Sequence, residues 1–167
     1  RNDPSIYFGS IINVKNEINQ QAIVKSLYFQ DEITVNERWR FTAGIRLDDY
    51  NLVKKKSITP RFAAVYQYSK INHFKFLYGE AFRAPTLAEF FINNDQIQGS
   101  FDVEPVKSKT FEAVWLLSRA SHNTAVTIFH NDVKNTIARL FDPALDASRF
   151  QNAGDLNSYG IELEANM

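Results

Sequence analysis

Side chains capable of chemistry occur in this sequence, but their spacing does not assemble a catalytic or metal site. The three histidines, His73, His122 and His130, lack the close spacing of metal ligands. Asp31 and Glu32 are adjacent, and adjacent side chains of a strand point to opposite faces, so these carboxylates cannot act together as acid and base. No nucleophile motif or phosphate-binding loop is present. We therefore predict no catalytic residue, no metal site, no dedicated cofactor site and no enzyme activity.

Composition excludes several other classes of protein. The 167 residues include 19 basic and 19 acidic side chains, so a nucleic-acid partner is not expected. The longest basic run, Lys54–Lys56, is typical of a solvated loop. The absence of cysteine excludes disulfides and thiolate metal sites. No apolar run approaches the roughly 20 residues of a membrane helix. Transmembrane β-strands escape this test, because they need only alternating apolarity.

Alternation of apolar and polar residues along most of the chain predicts β-strands. In residues 38–50, Trp39, Phe41 and Ile45 share one face, while charged residues share the other. The predicted fold class is all-β, an antiparallel meander of about seven long strands. Strands of about 10 to 13 residues suit a tilted membrane crossing better than a soluble domain. The predicted strands cover about residues 22–35, 38–50, 58–69, 73–82, 108–119 and 124–138, with a seventh beginning near Tyr159.

Short and long connections alternate between the predicted strands. Short turns lie at residues 36–37, 69–72 and 120–123, and longer links at residues 51–57, 83–107 and 139–158. An outer-membrane barrel has short turns on one side and long loops on the other, whereas a β-sandwich has no reason to alternate in this way. Charged residues on the second face are expected to line the lumen: Arg40, Arg46, Asp48, Arg61, Glu112, Glu162 and Glu164. Aromatic residues are expected near the short turns, as in a girdle: Trp39, Tyr66, Tyr68, Phe74, Phe76 and Trp115.

Seven segments resemble, in the family's order, the C-terminal half of the barrel of TonB-dependent outer-membrane receptors of the siderophore type. The most specific segment is YGEAFRAPTLAE at residues 78–89. The other segments are YFQDE at 28–32, FTAGIRLD at 41–48, SITPRF at 57–62, VEPVKSKTFE at 103–112, FHNDVKNTI at 129–137, and QNAG with YGIELE at 151–154 and 159–164.

This resemblance implies a fold and a function. Residues 1–167 are expected to form part of one roughly 22-stranded transmembrane β-barrel, with the plug domain and the remaining strands absent. The implied protein lies in the bilayer of a Gram-negative outer membrane. It binds a ferric siderophore, or a similar iron chelate, at extracellular loops and imports it with energy from the TonB complex, which acts through the absent plug. Because the chain begins at Arg1 and ends at Met167 within an alternating pattern, we expect an interior piece of a longer protein.

The resemblance also singles out structural residues. Phe82, Arg83, Ala84 and Pro85 are expected to act as a hinge between strand and loop, because proline ends a ladder and arginine can hold a carboxylate in a fork. Further positions of the family pattern are Glu112, Asn152, Gly154, Gly160 and Glu162. Loop aromatics and polar groups are candidate ligand contacts: Phe90, Phe91, Asp95, Gln96, Gln98, Phe101, Arg139, Phe141, Arg149 and Phe150.

Competing functions differ in the ligand or in the class of protein. A haem receptor of the same family would carry NPNL and a histidine in the loop after the hinge, and residues 83–105 contain neither. The same strands would also suit a cobalamin receptor, a passive porin-type channel or a soluble β-sandwich binding module. An N-terminal plug with a TonB box would exclude the porin, and a monodisperse monomer without detergent would exclude the barrel.

Overall fold

Nine strands and one short helix occur in a computed structural model that describes residues 5–15, 21–53 and 56–166. Arg1, Lys54, Lys55 and Met167, which enter the sequence-based expectations, lie outside these residues. No helix in the described part of the chain is long and apolar enough to cross a membrane. The elements are β1 (Ser5–Lys15), β2 (Gln21–Thr34), β3 (Trp39–Tyr50), β4 (Ser57–Gln67), β5 (Asn72–Arg83), α1 (Leu87–Phe91), β6 (Ile97–Gln98), β7 (Val106–Ser118), β8 (Asn123–Asp142) and β9 (Ala147–Asn166).

The strands form one sheet in the order β1-β2-β3-β4-β5-β7-β8-β9-β6. Each long strand pairs antiparallel with the next long strand along the chain, so the predicted all-β meander is confirmed. The short β6 is the exception, since it pairs parallel to the start of β9. Among the described strands, β1 and β9 do not pair with each other, so the sheet is not closed.

One predicted connection is wrong. Residues 139–158 were expected to form a long loop, but β8 continues to Asp142 and β9 begins at Ala147, with only a turn between them. Apolar side chains do not stay on one face here, since Leu140 and Phe141 are adjacent and both exposed, so the sequence lacks the alternation that marks a half-buried strand. The ladder is also irregular near Asn135, which has a φ of 57°, and Gly154, which has a φ of 117°.

Two further elements are absent from the sequence-based prediction. β1 precedes the first predicted strand, and its pairing with β2 is irregular between Phe8 and Ile11, which breaks the alternation of the sequence. The single turn α1 and the two-residue β6 lie inside the predicted loop 83–107. Both are too short to produce a periodic pattern of their own.

The register divides the long strands into two faces of opposite character. Residues aligned across the sheet share a face, as Ala43, Phe62, Tyr78 and Phe111 do. The exposed apolar face contains Leu27, Phe29, Ile45, Leu47, Phe62, Phe76, Phe111, Trp115, Ile128, Ile161 and Leu163. The seven charged residues predicted to line a lumen alternate with these positions and lie on the second, polar face.

Side chains on the polar face contact one another. Arg46 Nε lies 2.9 Å from Asp48 Oδ1, and the Arg46 Nη2 group donates to Ser26 Oγ at 3.1 Å. The Arg61 guanidinium lies 5.7 Å from the centre of the Tyr28 ring. This face is therefore a network of charges and rings.

Aromatic residues cluster beside the short turns, as the sequence predicts. Trp39 stacks on Tyr66 with ring centroids 4.5 Å apart, and Tyr68 meets the edge of Phe74 at 6.5 Å. The Asn36 side chain accepts hydrogen bonds from the Arg38 and Trp39 amides, which fixes the turn between β2 and β3. The opposite, long-loop end of the sheet holds the candidate site.

Candidate functional site

A hinge formed by Arg83, Pro85, Thr86 and Glu89 joins the end of β5 to the long loop. Two Arg83 nitrogens donate to the two carboxylate oxygens of Glu89, at 3.0 and 3.1 Å. This bidentate fork fixes geometry as well as charge. Glu89 is buried, with 9% of its surface exposed, so the ion pair closes the loop over itself immediately after the strand ends.

The helix α1 begins with a complete capping box. The Thr86 hydroxyl accepts a hydrogen bond from the Glu89 amide at 3.2 Å, and the Glu89 carboxylate accepts one from the Thr86 amide at 2.7 Å. A single helical turn is unstable on its own, so these reciprocal bonds supply what the short length lacks. Glu89 therefore serves both the helix start and the fork with Arg83.

Apolar packing holds the hinge against the tops of β2 and β3. Pro85 is fully buried, and the Tyr50 hydroxyl donates to its carbonyl at 3.1 Å. Phe90 is 5% exposed and packs with Tyr50 and Ala22. Burial of a phenylalanine side chain contributes roughly 1.5–3 kcal/mol, so this cluster anchors the loop to the sheet.

Electrostatics at the hinge favour the ionised form of Glu89. Burial alone raises the pKa of the Glu89 carboxyl, but hydrogen bonds from Arg83 and Thr86, together with the charge of Arg83, outweigh that effect. The pKa of Glu89 therefore lies below its ordinary value. Ionised Glu89 is the form that the hinge requires.

Acidification is expected to weaken the hinge. A carboxyl with a lower pKa in the folded state stabilises that state above its unfolded pKa of about 4.3. The contribution is lost as the pH falls through the folded pKa. The Ser100 amide donates to the Glu89 carbonyl at 2.9 Å. Its hydrogen exchange, corrected for the intrinsic rate, should accelerate as the pH falls from about 4.3 through the folded pKa of Glu89. Glu89→Gln should abolish this dependence, and Glu32→Gln, at an exposed pair, should retain it. An unchanged dependence in Glu89→Gln would contradict the assignment.

Beyond the hinge, the loop folds back and docks on the β8–β9 hairpin. The Gly99 amide donates to the Ile92 carbonyl at 2.6 Å, which closes the segment between α1 and β6. β6 then pairs parallel to β9, and the Ser148 amide donates to the Gln96 carbonyl at 2.9 Å. Residues 84–105 and the hairpin therefore form one unit, named here the loop platform.

Polar side chains complete the loop platform. Arg149 Nη2 donates to Ser100 Oγ at 3.1 Å and lies 3.3 Å from Asp102 Oδ2. Asn152 pairs with the Glu104 backbone in both directions, accepting from the amide at 2.8 Å and donating to the carbonyl at 3.0 Å. Asn135 donates to a Glu104 carboxylate oxygen at 3.1 Å. These contacts join residues that are between 31 and 49 positions apart in sequence, so they fix the loop relative to the hairpin.

The ten candidate ligand contacts differ in how far the loop platform buries or engages them. Phe90 is buried, Arg149 is engaged by the loop, and the Gln96 carbonyl accepts from the hairpin. Phe101 and Phe141 are 72% and 61% exposed. Phe91 and Phe101 meet edge to face at 5.2 Å. The remaining candidates are Asp95 and Arg139, which are exposed, and Gln98 and Phe150, which are half-buried.

The structural positions taken from the family pattern lie at several points of the sheet. Phe82, half-buried, and Ala84 flank the Arg83 fork. Glu112 on β7 lies opposite Phe129, and Gly160 on β9 lies opposite Phe129 from the other side. Asn152 joins the loop to the hairpin, Gly154 occupies the ladder irregularity, and Glu162 is exposed opposite Thr127.

Sequence reasoning missed several residues that build the site. Glu89 carried a usable signal, because threonine followed three residues later by glutamate is the pattern of a capping box. Tyr50, Ser100, Asp102 and Asn135 carried none, since their partners lie far away in sequence. Their roles become visible only in the folded loop platform.

Comparison with known proteins decides the family. Residues 1–167 match the family model described as TonB dependent receptor-like, beta-barrel. The chain belongs to this family. The predicted resemblance is therefore confirmed, and so is the prediction that the chain is not an enzyme, because family and structural neighbours are transport receptors. Among curated proteins, none matches the sequence.

Solved receptor structures share the fold of this family member. The siderophore receptor PirA of Pseudomonas aeruginosa is 22% identical with a TM-score of 0.76, over 86% of this chain and 28% of that one. A mutant of the ferric enterobactin receptor PfeA of the same organism, in complex with enterobactin, is 19% identical with a TM-score of 0.74, over 86% and 24%.

A double mutant of the hemophore receptor HasR of Serratia marcescens, in complex with its hemophore HasA and heme, is 14% identical with a TM-score of 0.77, over 87% of this chain and 32% of that one. At such identities the likeness concerns the fold. The chain spans between about a quarter and a third of the length of these structures.

Proposed function

We propose that this chain is part of an outer-membrane receptor that binds a ferric siderophore, or a related iron chelate, and imports it with TonB-coupled energy. In this proposal the loop platform faces the outside of a Gram-negative cell, and the exposed apolar face contacts the bilayer. The chain supplies part of the barrel, and the plug and TonB box belong to other segments of the protein. No dedicated cofactor site is needed, because the iron chelate is the cargo.

The loop platform is the observation that carries the proposal. A receptor must hold its ligand-binding loops in a defined arrangement. Here the ion pair of Arg83 with the buried Glu89 carboxylate, together with the buried Phe90 ring, anchors the longest described loop. The exposed aromatic residues Phe101 and Phe141, with Arg139 nearby in sequence, suit an anionic and aromatic ferric chelate. The family and its siderophore-receptor neighbours favour the same class of cargo.

Uptake by cells tests the proposal. The complete gene that contains this sequence would be deleted, and uptake of radioactive iron would be measured under iron limitation with catecholate, hydroxamate and citrate chelates. Uptake of at least one chelate should fall in the deletion strain and return in the complemented strain. A protonophore, which collapses the proton-motive force, should abolish the restored uptake. Unchanged uptake of every chelate would refute iron transport. Uptake that survives the protonophore would indicate a passive channel, and lost growth only on haem or cobalamin would indicate those ligands.

Ligand contact is tested with matched aromatic variants of the complete receptor. Phe101→Ala removes a 72% exposed ring from the loop platform, and Phe111→Ala removes a 50% exposed ring from the apolar face. We expect Phe101→Ala to weaken binding of the transported chelate about fivefold or more, corresponding to roughly 1 kcal/mol. Phe111→Ala should leave the affinity unchanged. Equal affinities of both variants and the native receptor would remove Phe101 from the binding surface.

A further inference from the structure

The apolar face ends abruptly toward the loop platform. Across β5, β7, β8 and β9, one row of aligned residues contains Phe76, Ala113, Ile128 and Ile161. Phe76, Ile128 and Ile161 are 50%, 56% and 72% exposed. Such a continuous apolar surface is stable only when an apolar phase covers it. The charges of the next rows on the same face indicate which kind of molecule would lie at the edge of that apolar phase.

Charged residues replace the apolar ones two rows nearer the loops. Glu80, Lys109 and Asp132 align across β5, β7 and β8, and Lys109 Nζ lies 3.4 Å from Glu80 Oε1. One row further, Lys107 lies directly opposite Lys134. Like charges in this position repel, and among the described residues no carboxylate forms an ion pair with either lysine. An anion from outside the protein would therefore stabilise this lysine pair.

A cleft opens beside these lysines. β4 stays paired to β3 as far as Ser57, but its pairing with β5 ends at Arg61 and Gly79. Pro60, which has no amide donor, directly precedes the last paired residue. The strands separate into a cleft of about 400 Å³, lined by Lys56, Lys107 and Lys109, by serine and threonine hydroxyls, and by Ile58 and Phe82. Ammonium groups and apolar carbons thus border the same space.

Carboxylates at the cleft are already engaged. Glu80 accepts from the Tyr78 hydroxyl and pairs with Lys109, and Glu104 accepts from Asn135. The three lysines that line the cleft, Lys56, Lys107 and Lys109, outnumber its two glutamates, so the lining carries a net positive charge. An anion that carries apolar chains would meet the lysines with its charged groups and the apolar face with its chains.

We propose that Lys56, Lys107, Lys109 and Lys134 bind the phosphate groups of an anionic lipid of the outer leaflet. The occupant is a membrane lipid and not the transported ligand, because the lysines lie on the same face as the exposed apolar residues and not on the polar face. Its acyl chains lie against the row of Phe76, and its phosphates neutralise the opposed lysines. The inference rests on the membrane location in the proposed function and not on the identity of the cargo.

Native mass spectrometry of the complete, detergent-purified receptor tests this assignment with diphosphoryl lipid A as probe. Lys107→Gln with Lys134→Gln should weaken lipid binding about fivefold per lysine, since each surface lysine contributes about 1 kcal/mol to an anionic-lipid contact. The control, Lys70→Gln with Lys75→Gln, removes the same charge from a short turn and from the polar face and should bind as the native receptor does. Lys107→Arg with Lys134→Arg, which keeps both charges, should also bind normally.

Three outcomes would overturn the assignment. The first is an equal loss of lipid binding in the Lys107→Gln, Lys134→Gln variant and in the Lys70→Gln, Lys75→Gln control. The second is unchanged lipid binding in the Lys107→Gln, Lys134→Gln variant. The third is displacement of lipid A by inorganic phosphate at equal concentration. The last would identify a site for free phosphate. Heat-modifiable mobility on gels checks that each variant is folded, and the arginine variants separate lost charge from lost folding. Failure of iron uptake with lipid binding intact would refute the cargo alone.

Discussion

Replacing Gly99 by alanine is expected to separate the β6 segment from α1 and so to open the loop of residues 84–105. A Cβ at this position would lie 2.5 Å from the carbonyl carbon and oxygen of Phe90 and 2.8 Å from the Phe91 amide nitrogen. These are backbone atoms, so no side-chain rotation relieves the overlap. Overpacking of this kind costs about 1–3 kcal/mol or more, and here it also breaks the hydrogen bond from the Gly99 amide to Ile92. The loop should therefore populate an undocked state.

Chymotrypsin measures this population, because the loop contains Phe90, Phe91 and Phe101. In the complete receptor, Gly99→Ala should raise the rate of cleavage in the loop about tenfold or more, since cleavage follows the open population when reclosing is fast. Gly79→Ala is the matched control. Its new Cβ would meet nothing within 4 Å, so we expect a change within about 1 kcal/mol and no faster cleavage. Similar cleavage of both variants would show that the close approach does not hold the loop.

Removing the Arg83 guanidinium is expected to leave the Glu89 carboxylate buried without its charged partner. The Glu89 side chain is 12% exposed, and that of Arg83 is 48% exposed. Loss of the partner of a buried charged group costs about 1–3 kcal/mol, and the remaining bond from the Thr86 amide keeps the cost of Arg83→Met in the lower part of this range. The affected equilibrium is the opening of the hinge and not the unfolding of the sheet.

Hydrogen exchange of the Ser100 amide, which depends on docking at Glu89, reports the opening. We expect exchange in Arg83→Met to be about 5 to 30 times faster than in the native receptor. Arg40→Met is the control, since it breaks an exposed ion pair with Glu32 at 3.5 Å and should leave exchange at Ser100 unchanged. A double-mutant cycle with Glu89→Gln should give a coupling free energy above about 0.5 kcal/mol, and additive effects would show that the fork contributes nothing.

The sheet could be predicted from the sequence because each strand has one apolar and one polar face. Residues 38–50 show this clearly, and the register confirms that Ile45 and Leu47 share a face with Ile58 and Phe62 of the neighbouring strand. The alternation fails in the part of the last hairpin that lies near the loop. Residues 147–158 all belong to β9, yet their sequence predicts a loop because apolar and polar residues do not alternate there.

The site was harder to predict than the sheet because its contacts are long-range. The sequence indicates that Arg83 and Pro85 end a strand, and both do so. It does not indicate that Phe90 turns inward against Tyr50, or that Arg149 reaches back to Ser100, since a loop phenylalanine and a hairpin arginine look equally suited to a ligand. Docking of the loop on the hairpin separates these roles, and local propensity contains no information about it.

The early separation of β4 from β5 has a mechanical consequence. β5 is paired with β7 along its whole length to Arg83, whereas its pairing with β4 stops at Gly79. A force that pulls the loop outward is therefore transmitted through β7 and the hairpin, while the boundary between β4 and β5 carries almost no load at that height. Under tension the sheet would part along this line first, and a disulfide placed across it would prevent that separation.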